Sequence, residues 1–286
     1  MKISVVMPIY NSGKTLARAI NSYASQDYEP KELIVIDGGS TDETPAVIAE
    51  MKQYIDVYVS EPDNGYADAL NKGIKRATGD FVIMLAADDA FLAHAFKRFA
   101  NSVEEDTDIW CGGLVVCNSY GYLVWHSDED LEALRTCCSL KNPATFFRRS
   151  VFERVGYYSE EYRCANDREF FLRCYLSGCA IQVSDELITL FSSGGMSDPA
   201  IDLLGPEEDK RISIQYGLPE EEAEAHYRRR LRIAQRNRKI KPVLDFANRI
   251  GVMRLVLLLT GRTDRLIPSD QMALLGLNDH DSAIGE

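Results

Sequence analysis

The chain contains no Cys-x-x-Cys, no Gly-x-Gly-x-x-Gly and no evident internal repeat, and no apolar run approaches the length that crosses a bilayer. A membrane-spanning helix needs about 20 predominantly apolar residues, and Leu255–Leu259 is far too short. Without a glycine fingerprint after the first strand-like segment, a dinucleotide dehydrogenase is disfavoured. The seven cysteines include the adjacent pair Cys137 and Cys138 but show no framework spacing, which points to reduced thiols and a cytoplasmic location. Excess positive charge is missing too: a formal net charge of −12 argues against non-specific nucleic-acid binding, and no nucleic-acid partner is expected. The sequence runs almost at once into the strand-like Ile3–Met7 and then Pro8, so no signal peptide is expected.

What is present is an ordinary globular composition, 45% hydrophobic and 27% charged over 286 residues, enough for one large domain with an appendage. Ile3–Met7, Glu32–Ile36, Val57–Ser60 and Phe81–Leu85 read as strands. Lys14–Ala24, Thr44–Tyr54 and Tyr66–Ala77 between them carry apolar residues near helical spacing, with Ser40-Thr41-Asp42 as a start signal for the second. This alternation predicts a mainly parallel sheet with right-handed crossovers. From Asp108 the pattern changes. Ile109–Val116 and Tyr120–Trp125 read as paired strands, and Thr145–Val155, Asp167–Leu176 and Ala180–Leu190 as strand, helix and strand; Ser192–Ser197 reads as a mobile loop. Residues 1–204 are expected to form the main domain. Residues 205–286 are expected to form a mainly helical appendage, with Glu220–Leu259 as one or two helices and a loose tail.

The most informative stretch is Asp80 to Asp89, where a short apolar run reads as a buried strand and ends in two carboxylates. Ligands of open α/β sheets bind outside the carboxyl ends of the strands, and two hard oxygen ligands there suit Mg²⁺ or Mn²⁺. The alternative is a turn in which Asp89 caps a helix starting near Ala90. Three other strand ends carry similar groups: Pro8-Ile9-Tyr10-Asn11, Asp37-Gly38-Gly39-Ser40 and Glu61-Pro62-Asp63-Asn64-Gly65, with Asp68 in the helix that follows. Tyr10 can stack on a base and Asp37 can accept from a base N–H. Asx turns and loop chemistry account equally for several of these residues taken singly.

Ser4 to Asn11, Val35 to Asp42, Ser60 to Gly65 and Ala77 to Asp89, in that order, resemble the motifs of family 2 glycosyltransferases of the GT-A fold. Asn142-Pro143-Ala144-Thr145-Phe146-Phe147-Arg148-Arg149 and Asn166 to Arg173 extend the resemblance, which covers roughly residues 1–195. It implies a Rossmann-like α/β domain with a mainly parallel mixed sheet flanked by helices, carrying a C-terminal helical appendage. It also implies a nucleotide-diphosphate sugar donor, with a UDP-sugar favoured. The sugar would pass with inversion to a hydroxyl of a glycan or lipid-linked acceptor, in bacterial surface polysaccharide biosynthesis. By position, Pro8, Tyr10, Asp37, Asp63, Asp68 and Asp88 would meet the donor, Asp89 and Asp88 a Mn²⁺ or Mg²⁺ ion, and Asp167 would be the base. For Asp167 the alternative is a helix-start carboxylate favoured by the macrodipole. The chain departs from the family where Gly38 replaces a second acid, Ala86 replaces the first acid of the Asp-x-Asp triplet, and Asn142 and Asn166 stand where His and Glu are common.

Arg228, Arg229, Arg230, Arg232, Arg236, Arg238, Lys239 and Lys241 make a cationic block in an otherwise acidic chain. It is a candidate for an anionic membrane surface, which would place the protein peripherally on the inner face. Pairing with Glu220–Glu224 or a homodimer contact are the alternatives. The leading reading is a metal-dependent glycosyltransferase, and the second is a nucleotide-sugar-binding protein without turnover, prompted by Gly38 and Ala86. A nucleotidyltransferase would share the architecture, but no basic glycine-rich phosphate loop supports one.

Overall fold

Parallel pairing organises the first half of the chain, as the strand–helix alternation predicts. The computed structural model describes residues 1–118, 121–192 and 201–249, together with 272, 275 and 277. Strands β1 (Ile3–Ile9), β2 (Lys31–Asp37), β3 (Val57–Ser60) and β4 (Phe81–Met84) are joined through helices α1 (Leu16–Ala24), α2 (Thr44–Met51) and α3 (Tyr66–Ile74). β1 lies between β2 and β4, and β3 pairs with the outer side of β2, all in parallel. The sheet then continues as a mixed sheet. β5 (Ala90–Phe91), β6 (Ile109–Asn118), β7 (Gly121–Trp125), β8 (Thr145–Arg148) and β9 (Ile181–Ser192) complete the order β3-β2-β1-β4-β8-β6-β9-β5, with β7 on β6. Helices α4 (Ala95–Ser102), α5 (Arg149–Val155) and α6 (Asn166–Leu176) flank it, and α7 (Ile201–Gln215) and α8 (Glu220–Arg249) follow.

Successive residues of a strand face opposite sides of a sheet, and the core divides accordingly. Val6, Ile34 and Ile36 face one layer with Leu70, Phe147 and Phe170. Val5, Met7, Leu33 and Val35 face the other with Ile20, Phe96, Phe99 and Trp110. The adjacent Phe146 and Phe147 of β8 show the split. Phe146 stacks on Phe99 with ring centroids 3.8 Å apart, whereas Phe147 lies 5.5 Å from Phe171 on the far face.

Several expectations need correction. No helix starts at Ala90: Ala90 and Phe91 pair with Leu190 and Thr189 of β9, and α4 begins only at Ala95, so Asp89 is not its cap. Thr145–Val155 is a strand only to Arg148, after which α5 begins. Pro8 lies inside β1, level with Ile36, rather than after it. α2 ends at Met51 and passes into a 3-10 turn over Lys52–Tyr54. The 204/205 division falls within α7, which runs through it. α8 covers the expected helix as far as Arg249; the remainder to Leu259, most of the tail, and the Ser193–Ser197 part of the predicted loop lie outside the described residues.

The amino-terminal end of the parallel strands is pinned by Glu32. Its carboxylate accepts from Lys2 Nζ at 2.6 Å, Ser4 Oγ at 2.5 Å and the Thr78 amide at 2.7 Å. Burial opposes ionisation, but these donors outweigh it and hold the group down at about 2. A depressed folded-state pKa contributes stability above the unfolded value that is lost as pH falls through the folded one. Wild type is therefore expected to lose about 3 kcal/mol of stability between pH 4.5 and 2 from this group alone. Urea unfolding of Glu32→Gln across that window should lack this component; identical pH dependence in both proteins would contradict it.

Candidate active site

The register of the parallel strands brings their carboxyl ends level: Ile9 lies opposite Asp37, and Asp37 opposite Ser60. Asp37 is buried, and all of the roughly four acceptor sites of a carboxylate are engaged. Oδ1 takes the amide and hydroxyl of Ser40, and Oδ2 takes Tyr58 Oη and Ser60 Oγ. Burial opposes its charge, yet these donors hold its pKa below the ordinary range. A base N–H would have to displace one of them. Beside it, a Cβ on Gly38 would come within 2.4 Å of Asp63 Oδ2 and 3.4 Å of the Tyr10 ring. Gly38, Tyr10 and Asp63 therefore line one gap, and Asp63 brings a carboxylate to the space that a second acid at position 38 would need. Tyr10 is 62% exposed and free to offer its face. Asn11 holds a left-handed φ of 48° and stitches the first two rim loops together, donating its amide to Ser40 Oγ and accepting from the Thr41 amide. Asp68 turns to its own loop, taking the Asn64 amide and pairing with Lys72.

Asp88 and Asp89 follow β4, next to this gap along the sheet. Asp89 is 1% exposed; Oδ1 accepts the Ser192 amide at 2.9 Å, while Oδ2 is buried without a hydrogen-bond partner among the described residues. Burial and the adjacent Asp88 push its pKa well above the ordinary value, opposed by Ser192 and the Arg18 charge. Arg18 of α1 donates Nη2 to the Asp88 carbonyl and to Ser192 Oγ, tying β4's end to that of β9.

Asp167 stands on the first turn of α6, half-buried. Oδ1 accepts the Arg168 amide at 2.6 Å, and Oδ2 faces the Cys138 thiol at 3.6 Å. Burial raises its pKa, only partly offset by these contacts and by the Lys141 charge. Tyr66, at the start of α3, links the two acidic groups. Burial raises its pKa first, and then the charges of Asp89, Asp167 and Asp88 raise it further, so it lies within electrostatic reach of all three.

α7 holds Asp167 in place from outside the expected main domain. Glu208 accepts the amides of Arg163, Cys164 and Ala165 at 2.8–2.9 Å, closing the donors ahead of α6. Arg168, fully buried, donates to Asp209 Oδ1 at 3.0 Å, to Ser213 Oγ, and to the carbonyls of Leu134 and Arg135. Arg230 of α8 pairs with the same Asp209, and Arg228 pairs with Glu224. Part of the basic block thus faces the protein, and the acidic Glu208-Asp209 is a support of α6.

The structure brings Tyr10 and Asp63 beside Asp37 and puts Asp88 and Asp89 at the end of the neighbouring strand, and the charges of Asp88, Asp89 and Asp167 all reach Tyr66. Pro8 is buried in the strand below, and Asp68 serves its loop. Sequence reasoning missed Arg18, Tyr66 and the Glu208–Asp209 support. The one available signal was Arg168, set directly between Asp167 and the apolar Phe170-Phe171-Leu172 run of the same helix, a charge that burial obliges to find a partner.

The Glycosyl transferase family 2 profile matches residues 4–174. This chain belongs to that family. It is 28% identical over 207 residues to a PGL/p-HBAD biosynthesis glycosyltransferase of Mycobacterium bovis, covering 70% of this chain and 80% of that one. It is 27% identical over 234 residues to TarS of Staphylococcus aureus, a poly(ribitol-phosphate) beta-N-acetylglucosaminyltransferase, covering 77% of this chain and 38% of that enzyme. A TarS fragment in complex with UDP superposes with a TM-score of 0.59 at 22% identity, over 84% of this chain and 72% of that one. The mannosyltransferase PcManGT from Pyrobaculum calidifontis, in complex with GDP-Man and Mn²⁺, gives 0.59 at 18% identity, over 99% and 84%. These structural likenesses establish the GT-A fold. Among the described residues no helix is long and apolar enough to cross a membrane.

Removing Arg168 leaves Asp209 buried with only Arg230 for a charge partner. Losing one member of a buried pair costs about 3–5 kcal/mol. Arg168→Leu should lower stability to urea by about that amount; a change below about 1 kcal/mol would show that the network carries little.

Proposed function

We propose that the chain transfers a sugar, with inversion, from a nucleotide-diphosphate donor to an acceptor hydroxyl in the building of a bacterial surface glycan. The observation that carries this reading is the division of two desolvated carboxylates. Asp89, at the end of β4, has a buried oxygen without a partner among the described residues, Asp167 stands on the first turn of α6, and the charges of both reach Tyr66. The base would stack on Tyr10, with Asp63 the better-placed acceptor for its N–H because Asp37 is already saturated. The relatives' ligands favour a uridine or guanosine donor, with UDP first, since TarS has been captured with UDP.

The donor set fits a divalent cation of the Mg²⁺ or Mn²⁺ type. Among the described residues no group of three or more His, Cys, Asp or Glu forms a metal cage. Asp89 Oδ2 has no hydrogen-bond partner among the described residues, and Asp88 is its neighbour in the chain. Two carboxylates leaving most positions to phosphate oxygens and water are what such ions accept. Bound there, the ion would neutralise charge growing on the departing diphosphate.

Asp167 takes the proton from the acceptor hydroxyl. The freed oxygen forms its bond to the anomeric carbon as the bond to the diphosphate breaks, and that electron pair leaves on the nucleoside diphosphate. The Arg168 amide and the Cys138 thiol fix the orientation of the accepting carboxylate. Burial raises the pKa of Asp167 and so makes it a stronger base than a free carboxylate.

The test is a screen of nucleotide-sugar donors with Mn²⁺ or Mg²⁺, scored by nucleoside diphosphate released. Metal-dependent release is expected, with kcat falling about 10²–10⁴-fold in Asp167→Asn while donor binding persists. The acid limb of kcat/KM should lie above the roughly 3.9 of a free Asp. Tight donor binding without turnover would favour the binding-protein reading instead.

A further inference from the structure

A second concavity lies on the other half of the sheet. β4, which ends in Asp88 and Asp89, separates the β1–β3 rim from β8, β6 and β7 in the strand order. At the end of β7 a cleft of about 710 Å³ is lined by Trp125, His126, Asp128, Glu129 and Lys141, among others. Binding clefts for small ligands run from about 300 to 1,000 Å³.

The walls of this cleft are built rather than incidental. Ser127 donates Oγ to the Gly112 carbonyl and accepts the Lys141 amide, and the Asp128 amide donates to the Ser139 carbonyl. A Cβ on Gly113 would meet His126 Nδ1 at 2.8 Å and the Trp125 carbonyl at 3.1 Å, so the close approach of this wall to β6 needs glycine. His126 Nδ1 lies 3.6 Å from Asp185 Oδ1. Trp125 is 42% exposed, whereas Trp110 is fully buried.

One wall of the cleft is close along the chain to a neighbour of Asp167. Lys141 in its wall lies three residues from Cys138, whose thiol touches Asp167. Three residues span at most about 11 Å, the length of roughly two sugar rings. An acceptor lying in the cleft can therefore present a hydroxyl to Asp167, while the donor comes from the opposite half of the sheet.

We propose that this cleft is the acceptor subsite and that it takes an uncharged sugar ring, packed with its C–H face on Trp125. The proposal rests on the glycosyltransferase reading. An exposed indole offers a large, rigid apolar face, while Asp128, Glu129 and His126 accept or donate hydrogen bonds around a ring's edge. The charge balance selects against a polyanion, because two carboxylates face a single lysine on the cleft walls. Phosphate groups along a polymer would be repelled where hydroxyls are accommodated.

Two readouts test this on the full-length protein. The chain has two tryptophans, and with Trp110 buried, acrylamide quenching of fluorescence reports on Trp125. Methyl glycosides of glucose, galactose, mannose and N-acetylglucosamine are titrated against ribitol 5-phosphate as the anionic comparison. At least one uncharged glycoside is expected to lower the quenching constant at least twofold, with ribitol 5-phosphate giving no protection. In transfer assays with that glycoside as acceptor, Trp125→Ala is expected to raise its KM at least tenfold and Trp125→Phe to restore it to within about threefold. Protection by ribitol 5-phosphate alone, no protection by any glycoside, or an unchanged KM in folded Trp125→Ala would overturn the proposal. A wild type that releases no nucleoside diphosphate from any donor defeats the glycosyltransferase reading separately, since the quenching titration needs no turnover.

Discussion

Parallel pairing of β2, β1 and β4 sets Asp37, the Pro8–Tyr10 end of β1 and the Asp88–Asp89 turn along one edge of the sheet. Every later feature of the site depends on that alignment. The rim loops can stitch together through Asn11 and Ser40 because their strands end level. The second half of the sheet then reverses direction through β8, and α6 delivers Asp167 to the same region from a different layer.

Burial acts on four carboxylates with two opposite results, and the number of donors decides which. Glu32 and Asp37 are each met by several hydrogen-bond donors, which outweigh desolvation and hold them ionised as structural pins. Asp89 and Asp167 receive too few donors, so burial wins and both are raised. A buried carboxylate with an unfilled acceptor site costs stability, and such costs are commonly retained where a ligand or a proton supplies the missing partner. The contrast separates the groups that hold the fold from those available for chemistry more sharply than sequence position does.

The legible parts were local. Phe81–Leu85 reads as a buried strand from its apolar run, and the strand is found over Phe81–Met84, with two acids after it marking the rim. The helix-cap alternative for Asp89 fails for a non-local reason: Ala90 and Phe91 are captured by β9, about a hundred residues away, and the Ser192 amide takes Asp89 Oδ1. Arg18 was invisible for the same reason, since its partners lie at Asp88 and Ser192. Glu208 and Asp209 belong by sequence to an acidic run, Glu207-Glu208-Asp209, in the expected appendage. Their role emerges only when α7 packs beside α6, where a buried Arg168 and three unpaired amides need acceptors. Composition marked the chain beyond Pro206 as different in character, while packing makes α7 a support of the site.

The central claim is that the unpartnered oxygen of Asp89 anchors the donor diphosphate through a divalent cation. Crystals of the protein soaked with UDP and Mn²⁺, measured at the manganese absorption edge, test it directly. The account requires one anomalous peak that touches the diphosphate and lies about 2.0–2.6 Å from Asp89 Oδ2, the bonding range of hard divalent cations. UDP bound at the rim with no manganese on Asp89, or manganese held elsewhere, would contradict it.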